Sequence, residues 1–275
     1  MNNKKVLTLL LALGVYLVSA GVSYSLFSKV LPSSPTDEGT SSLSQKTNDF
    51  EAVEFDPNKP RTEACPINGA KYSKEQKNWW EKHRPLGVMI ENHTEARPHS
   101  GLSFADAVYE AVAEGGITRF LAIYHCQDAG ITGPVRSART YFMDFLSEYG
   151  DNPLYAHVGG ANTPGPANAL GQVEDYGWAG YNDLNQFSVG FPTFKRDEAR
   201  AGRSVATEHT MYTTTSKLWK VGEERKLTEK NEEGDVWDAN FDEYTFKEDA
   251  PTGSRPASQR INVEYWSNQP NFDVQ

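Results

Sequence analysis

The sequence predicts a mixed α/β fold, a central mixed sheet flanked by helices, preceded by one N-terminal transmembrane helix. Three observations carry this expectation. Short apolar runs of strand length recur at Leu86–Ile90, Ile117–Tyr124 and Leu154–Val158, rich in aliphatic, β-branched and aromatic residues. Between and before them lie segments with helical spacing, from Lys74 to Trp80 and from Ser137 to Tyr149. Residues 6–27 hold no charged side chain at all.

Composition supports a packed domain within a polar chain. The 275 residues include 13 Phe, 13 Tyr and 6 Trp, enough aromatic bulk for a substantial core. A mean hydropathy of −0.62 points to long polar stretches beside that core. The formal net charge of −10 argues against a nucleic-acid binder, which carries a basic footprint. Two cysteines are too few for a disulfide scaffold or a Cys-rich zinc module.

The elements follow in order. Lys4 and Lys5 precede the uncharged run, and Lys29 with Pro32 closes it. Its length suits a bilayer span better than a signal-peptide core, so an uncleaved signal-anchor over residues 1–31 is preferred to cleavage after Val18-Ser19-Ala20. The two lysines then stay cytoplasmic and the bulk of the chain is extracytoplasmic, on a single-pass cell-membrane protein. Residues 32–61, rich in Ser, Thr and Pro, read as a disordered stalk, and residues 62–222 as the α/β domain. Ser73 caps a helix carrying Trp79 and Trp80. The run Ala107–Val112 is strand or helix, and Gly115-Gly116 joins it to the next strand as a hairpin turn. After Gly133-Pro134, Ser137 caps a helix that Gly150 ends. A short helix is expected near Pro166–Leu170, a surface excursion over 176–208, and strand into helix over Tyr212–Trp219. Residues 223–258 read as an acidic linker, and 259–275 as the cut-off start of a β-rich domain with nothing to pair with.

Familiar catalytic and nucleotide-binding strings are absent, so candidates come from polar residues set among apolar ones. Glu91, His93, Arg97 and His99 leave the end of a buried strand and offer acid, base and cation together. Arg136, Ser137 and Arg139 gather at an expected helix N-terminus, where cations oppose the helix dipole. Either a bound anion or a protein carboxylate such as Glu110, Glu114 or Asp144 explains them. Arg119, inside an apolar strand, needs a buried partner. His157 and His209 lie at strand ends, where a satisfied core histidine is the plainer reading than a site. No histidine pair shows ligand spacing, so neither metal nor cofactor is expected. Cys65 and Cys126 form a disulfide if the anchor orientation holds; two unrelated thiols is the alternative.

The strings RPLGVMIENHTEARPHSGLSFADAVYEAVAEGGITRFLAIYHC, GPVRSARTYFMDFLSEYG, YAHVGG and EHTMYTTTSKLW occur in this order between residues 84 and 219. Together they resemble the YerB-like family of bacterial surface proteins, whose domain has no assigned function. The lead-in CPINGAKYSKEQKNWWEKHRP is similar to one in some members, and this favours pairing Cys65 with Cys126. Two departures stand out: the family's lipobox Cys is missing, and its smaller C-terminal domain is cut off at Gln275. The resemblance implies location and layout but no catalytic residue.

The expected function is an envelope binding or accessory module in which Arg119, Arg136 and Arg139 recognise an anionic group. Cell-wall carboxylates, teichoic phosphates or an acidic partner segment are the accessible candidates. The competing expectation is an envelope hydrolase or transferase using Glu91 and His93, with Glu110 or His157, as acid and base.

Overall fold

A computed structural model describes residues 52–254, together with the backbone of 261–263 and 272–274. The anchor expected over 1–31 and most of the stalk lie outside the described residues. Among the described residues no helix is long and apolar enough to cross a membrane.

The chain enters through β1 (Arg61–Ala64) and β2 (Lys71–Ser73), an antiparallel pair, and runs into α1 (Lys74–Trp80). Ser73 caps α1 as expected, its side chain accepting from the Gln76 N–H. Next come β3 (Leu86–Glu91), β4 (Ala107–Glu114) and β5 (Ile117–Tyr124). The open choice at 107–112 resolves to strand. Gly115 and Gly116 take φ of 59° and 79°, the left-handed pair a two-residue hairpin turn requires. The sheet is completed by β7 (Leu154–His157) and β8 (Asp183–Asn185), following β6 (Ile131–Thr132), α2 (Thr140–Ser147) and α3 (Ala169–Asp175). Strand order is β4-β5-β3-β7-β8, antiparallel on one side of β3 and parallel on the other. This mixed α+β architecture is the expected class. A second sheet, β6-β10-β9, adds β9 (Lys195–Arg196) and β10 (Met211–Thr214); α4 (Gln186–Val189) and α5 (Thr215–Glu224) complete the domain.

Strand alternation gives the central sheet two buried faces. Met89, Leu121, Ile123 and Tyr155 meet Phe142, Met143 and Leu146 of α2 on one face. Gly87 lets α2 lie close, since a Cβ there would stand 2.7 Å from Leu146 Cδ1. Val88, Ile90, Ala122 and Ala156 meet Leu218 and Trp219 of α5 on the other. Each face excludes water from β3, whose six residues are all buried.

Several expectations shift. The helix expected from Ser137 begins at Thr140, because residues 134–138 are drawn out as extended chain. β3 and β7 pair only as far as Val88 and Ala156, and this segment enters the gap beyond. Pro134 O accepts from Glu91 N–H at 2.9 Å, and Arg136 N–H donates to Met89 O at 2.9 Å. On the other side Val158 N–H reaches Arg136 O at 3.0 Å, and Ala138 N–H reaches Gly159 O at 2.9 Å. The 176–208 excursion contributes β8, whose Asp183 and Leu184 are buried in the sheet. The helix expected near 166–170 starts at Ala169.

The ends of the domain also lie further out than expected. Val53 N–H donates to Asp128 Oδ2 at 2.9 Å and Phe55 packs edge-on against Trp79, so order begins before residue 62. The acidic segment after Glu224 is no free linker: Leu227 and Trp237 are buried, and Trp237 covers His125 and Phe241. Burying an indole draws the backbone in while the carboxylates face outward. β11 (Ile261–Val263) and β12 (Phe272–Val274) pair antiparallel with each other, where no partner was expected.

Burial sets an acid response. Desolvation pulls His125 down to about 3 and His83 down to about 4, and pushes the Asp106 carboxyl up to about 6. Between pH 6.5 and 4 the unfolded chain binds the two histidine protons that the native state refuses, so stability falls with acidification. Asp106 works in the opposite sense, because the folded carboxyl holds its proton up to about pH 6. Two protons outweigh one. From pH 7 to 4.5 these groups should lower the unfolding free energy by on the order of 2 kcal/mol, read by urea titration at each pH. His125→Phe should flatten that slope; an unchanged slope would refute the assignment.

Candidate functional site

The carboxyl end of β3 brings most of the candidates together. Glu91 closes the strand, is 3% exposed, and sits opposite Arg119 on β5, so both point to the α2 side. Its Oε2 accepts from Arg136 Nε at 2.5 Å, while Oε1 accepts the N–H groups of Asn92 and His93 at 3.2 and 3.3 Å. Arg136 extends outward, and its Nη2 donates to Glu208 Oε1 at 3.1 Å.

Arg119 and Arg139 share a second carboxylate. Arg119 Nη2 donates to Glu114 Oε2 at 2.9 Å and its Nη1 to Ser137 O at 3.2 Å; Arg139 Nη2 donates to the other Glu114 oxygen. The two arginine side chains are 5% and 16% exposed, that of Glu114 55%. Burial lowers both guanidinium pKa values from the arginine range, with Glu91 pulling them back up. Ser137 thus contributes its carbonyl. Arg139 holds the N-cap position of α2, without a side-chain cap.

Other candidates are kept apart. Glu110 lies opposite Phe120, on the sheet face away from Glu91, and accepts from Thr118 Oγ1 at 2.6 Å and Asn92 Nδ2 at 3.1 Å. Arg97 is spent on Asn92, donating to its Oδ1 at 2.9 Å and to its backbone carbonyl at 3.2 Å. His157 is fully buried, with Nε2 2.5 Å from Asp183 Oδ1 and Nδ1 2.7 Å from Gly159 O. Both ring nitrogens face oxygens of the protein itself, so neither is turned toward a cleft. The acid–base set of Glu91, Glu110 and His157 therefore does not share a cleft.

His93 and His209 do meet. Their rings stack at 5.0 Å between centroids and 5° between planes. Glu95 stands beside them, its Oε2 3.7 Å from His209 Nε2. One donor atom from each of His93, Glu95 and His209 lies within 4.8 Å of the others, correcting the expectation of no metal-ligand grouping. Sequence spacing could not reveal it, because the histidines sit on turns far apart in the chain. Cys65, Asp106 and Cys126 also gather, but the sulfurs form a disulfide.

The comparisons with known proteins bear on the same stretch. A family described as "Protein of unknown function (DUF3048) N-terminal domain" matches residues 69–228, more than half the chain. The chain belongs to the DUF3048 family. The YerB-like resemblance is thereby shown, and the arginine, carboxylate and histidine residues described above lie within the match. A Bacillus subtilis (strain 168) protein named "Putative lipoprotein YerB" is 51% identical over 78 residues, covering 28% of this chain and 23% of that protein. A crystal structure of YerB from Bacillus subtilis is similar with a TM-score of 0.50 and 33% identity, over 61% of this chain and 52% of that one. The DUF3048 chain thus spans about half the length of its solved relative.

Proposed function

We propose that this DUF3048 domain is a membrane-associated, extracytoplasmic binding module whose arginine rim takes an anionic group of the cell envelope. The observation that carries this reading is the convergence of Arg119 and Arg139 on opposite oxygens of Glu114. The carboxylate is half-exposed while both guanidinium groups are sunken. Such a carboxylate occupies the place an incoming carboxylate or phosphate would take. Because Glu114 is half-exposed, an incoming anion can take over its place while both guanidinium groups keep a counter-charge. The guanidinium forks stay preset for a planar or tetrahedral oxyanion. Compartment is supported by the Cys65–Cys126 disulfide, by the uncharged run at residues 6–27, and by the lipoprotein name of the Bacillus subtilis relative.

Retention of the purified chain on anionic cell-wall material tests the reading. Glu114→Gln should tighten retention by roughly two- to fivefold, the equivalent of about 0.5–1 kcal/mol. Arg139→Glu should abolish it with circular dichroism unchanged. Equal retention of both variants and the parent chain rejects the proposal.

A further inference from the structure

We propose that His93, Glu95 and His209 form a binding site for one divalent first-row transition ion of the zinc class. Two short turns supply the ligands. His93 caps the turn Thr94–Ala96, and His209 ends the turn Thr207–His209. Independent bonds hold the two turns. Arg203 Nη2 donates to both Thr94 O and Glu95 O at 3.1 Å, and Arg136 ties Glu208, the neighbour of His209, to Glu91. The meeting of the three side chains is therefore built into the backbone on both sides.

His209 is the second observation. Its ring is 5% exposed, and its Nδ1 is buried without a hydrogen-bond partner. Its Nε2 faces Glu95 across 3.7 Å, too far for a hydrogen bond. A buried imidazole nitrogen without a partner, on a ring whose other nitrogen holds only a long contact to a carboxylate, asks for an explanation, and an ion bound at this ring provides one. To share one ion with bonds of about 2.0–2.2 Å, the three donor atoms, within 4.8 Å of one another, close by about 1 Å, and the His93 ring turns out of its stack on His209, because each imidazole lone pair lies in its own ring plane. Glu95, half-exposed, has room to make that adjustment. The ring of His93 is set by the Glu95 N–H, which donates to Nδ1 at 3.2 Å. Coordination through Nδ1 exchanges that single bond for the metal.

The donor set selects the ion. Two imidazoles and one carboxylate suit Zn2+, Co2+ or Ni2+, whereas Ca2+ and Mg2+ ask for oxygen ligands throughout. Three protein ligands leave a fourth position for water or an oxyanion. The site stands apart from the proposed arginine rim, since Arg119, Arg139 and Glu114 take no part in it.

Calorimetric titration of the tag-free, EDTA-treated chain with ZnCl2 tests the proposal, with CoCl2 absorption reporting the ligand geometry. One equivalent should bind with micromolar or tighter affinity, and MgCl2 should give no saturable signal. Glu95→Gln, at a half-exposed position where folding is not at stake, should weaken Zn2+ at least tenfold, and His209→Gln should do the same. Absence of saturable Zn2+ binding, or equal affinity in the Glu95→Gln chain, overturns the assignment. Retention on cell-wall material is scored separately, so failure of one proposal leaves the other standing.

Discussion

Opening the Cys65–Cys126 bond is expected to lower the unfolding free energy by about 4 kcal/mol, the chain-entropy value for a loop of this size. The two residues lie 61 positions apart, and both are buried. The bond ties the β1–β2 entry to the end of β5. There Asp106 Oδ2 accepts the N–H groups of His125 and Cys126, both at 2.7 Å. The closed loop includes all of β3 and the β4–β5 hairpin, so the cross-link restricts the part of the unfolded chain that must assemble the core. Guanidinium titration with and without reductant, repeated on Cys65→Ala/Cys126→Ala, measures the effect. A loss below about 1 kcal/mol would show that the entry segment is held by packing alone.

Removing the guanidinium from Glu91 should be nearly as severe. Arg136→Met leaves a carboxylate 4% exposed with two backbone N–H groups and no ion-pair partner in contact, the charges of Arg119 and Arg139 acting on it only from a distance. Breaking a buried pair costs about 3–5 kcal/mol, and the lower end applies because Arg136 itself is 24% exposed. The double variant Glu91→Gln/Arg136→Met should recover much of the loss, since no buried charge then stands alone. If Arg136→Met costs no more than an ordinary surface change, about 0.5 kcal/mol, the pair does not hold the strand end.

Local chemistry made much of the fold legible. The Ser73 cap, the Gly115-Gly116 turn and the apolar runs of β3, β5 and β7 each specify their element from neighbours in sequence. What stayed hidden depends on distant partners. Ser137 has the composition of a cap, yet its segment is claimed by backbone groups of Met89, Glu91, Val158 and Gly159, and the helix waits until Thr140. Asp183 is too polar to read as a buried strand residue until His157 is beside it. Trp237, alone in an acidic stretch, gives no periodic signal of the contact it makes with His125. The arginines were visible as an anomaly, and Glu114 was among their possible partners. That Arg119 and Arg139 would share one carboxylate depends on β4–β5 register. The grouping of His93, Glu95 and His209 joins two turns that no spacing rule connects.

The segment lodged between β3 and β7 limits how this fold can meet another molecule. In open α/β sheets the crevice where parallel strands separate is the usual berth for a ligand. Here Pro134–Ala138 already occupies that berth with the chain's own backbone. A ligand seated at those strand ends would have to replace the hydrogen bonds this segment makes to β3 and β7. On the proposed reading, an anion instead meets Arg119 and Arg139 from the side of half-exposed Glu114.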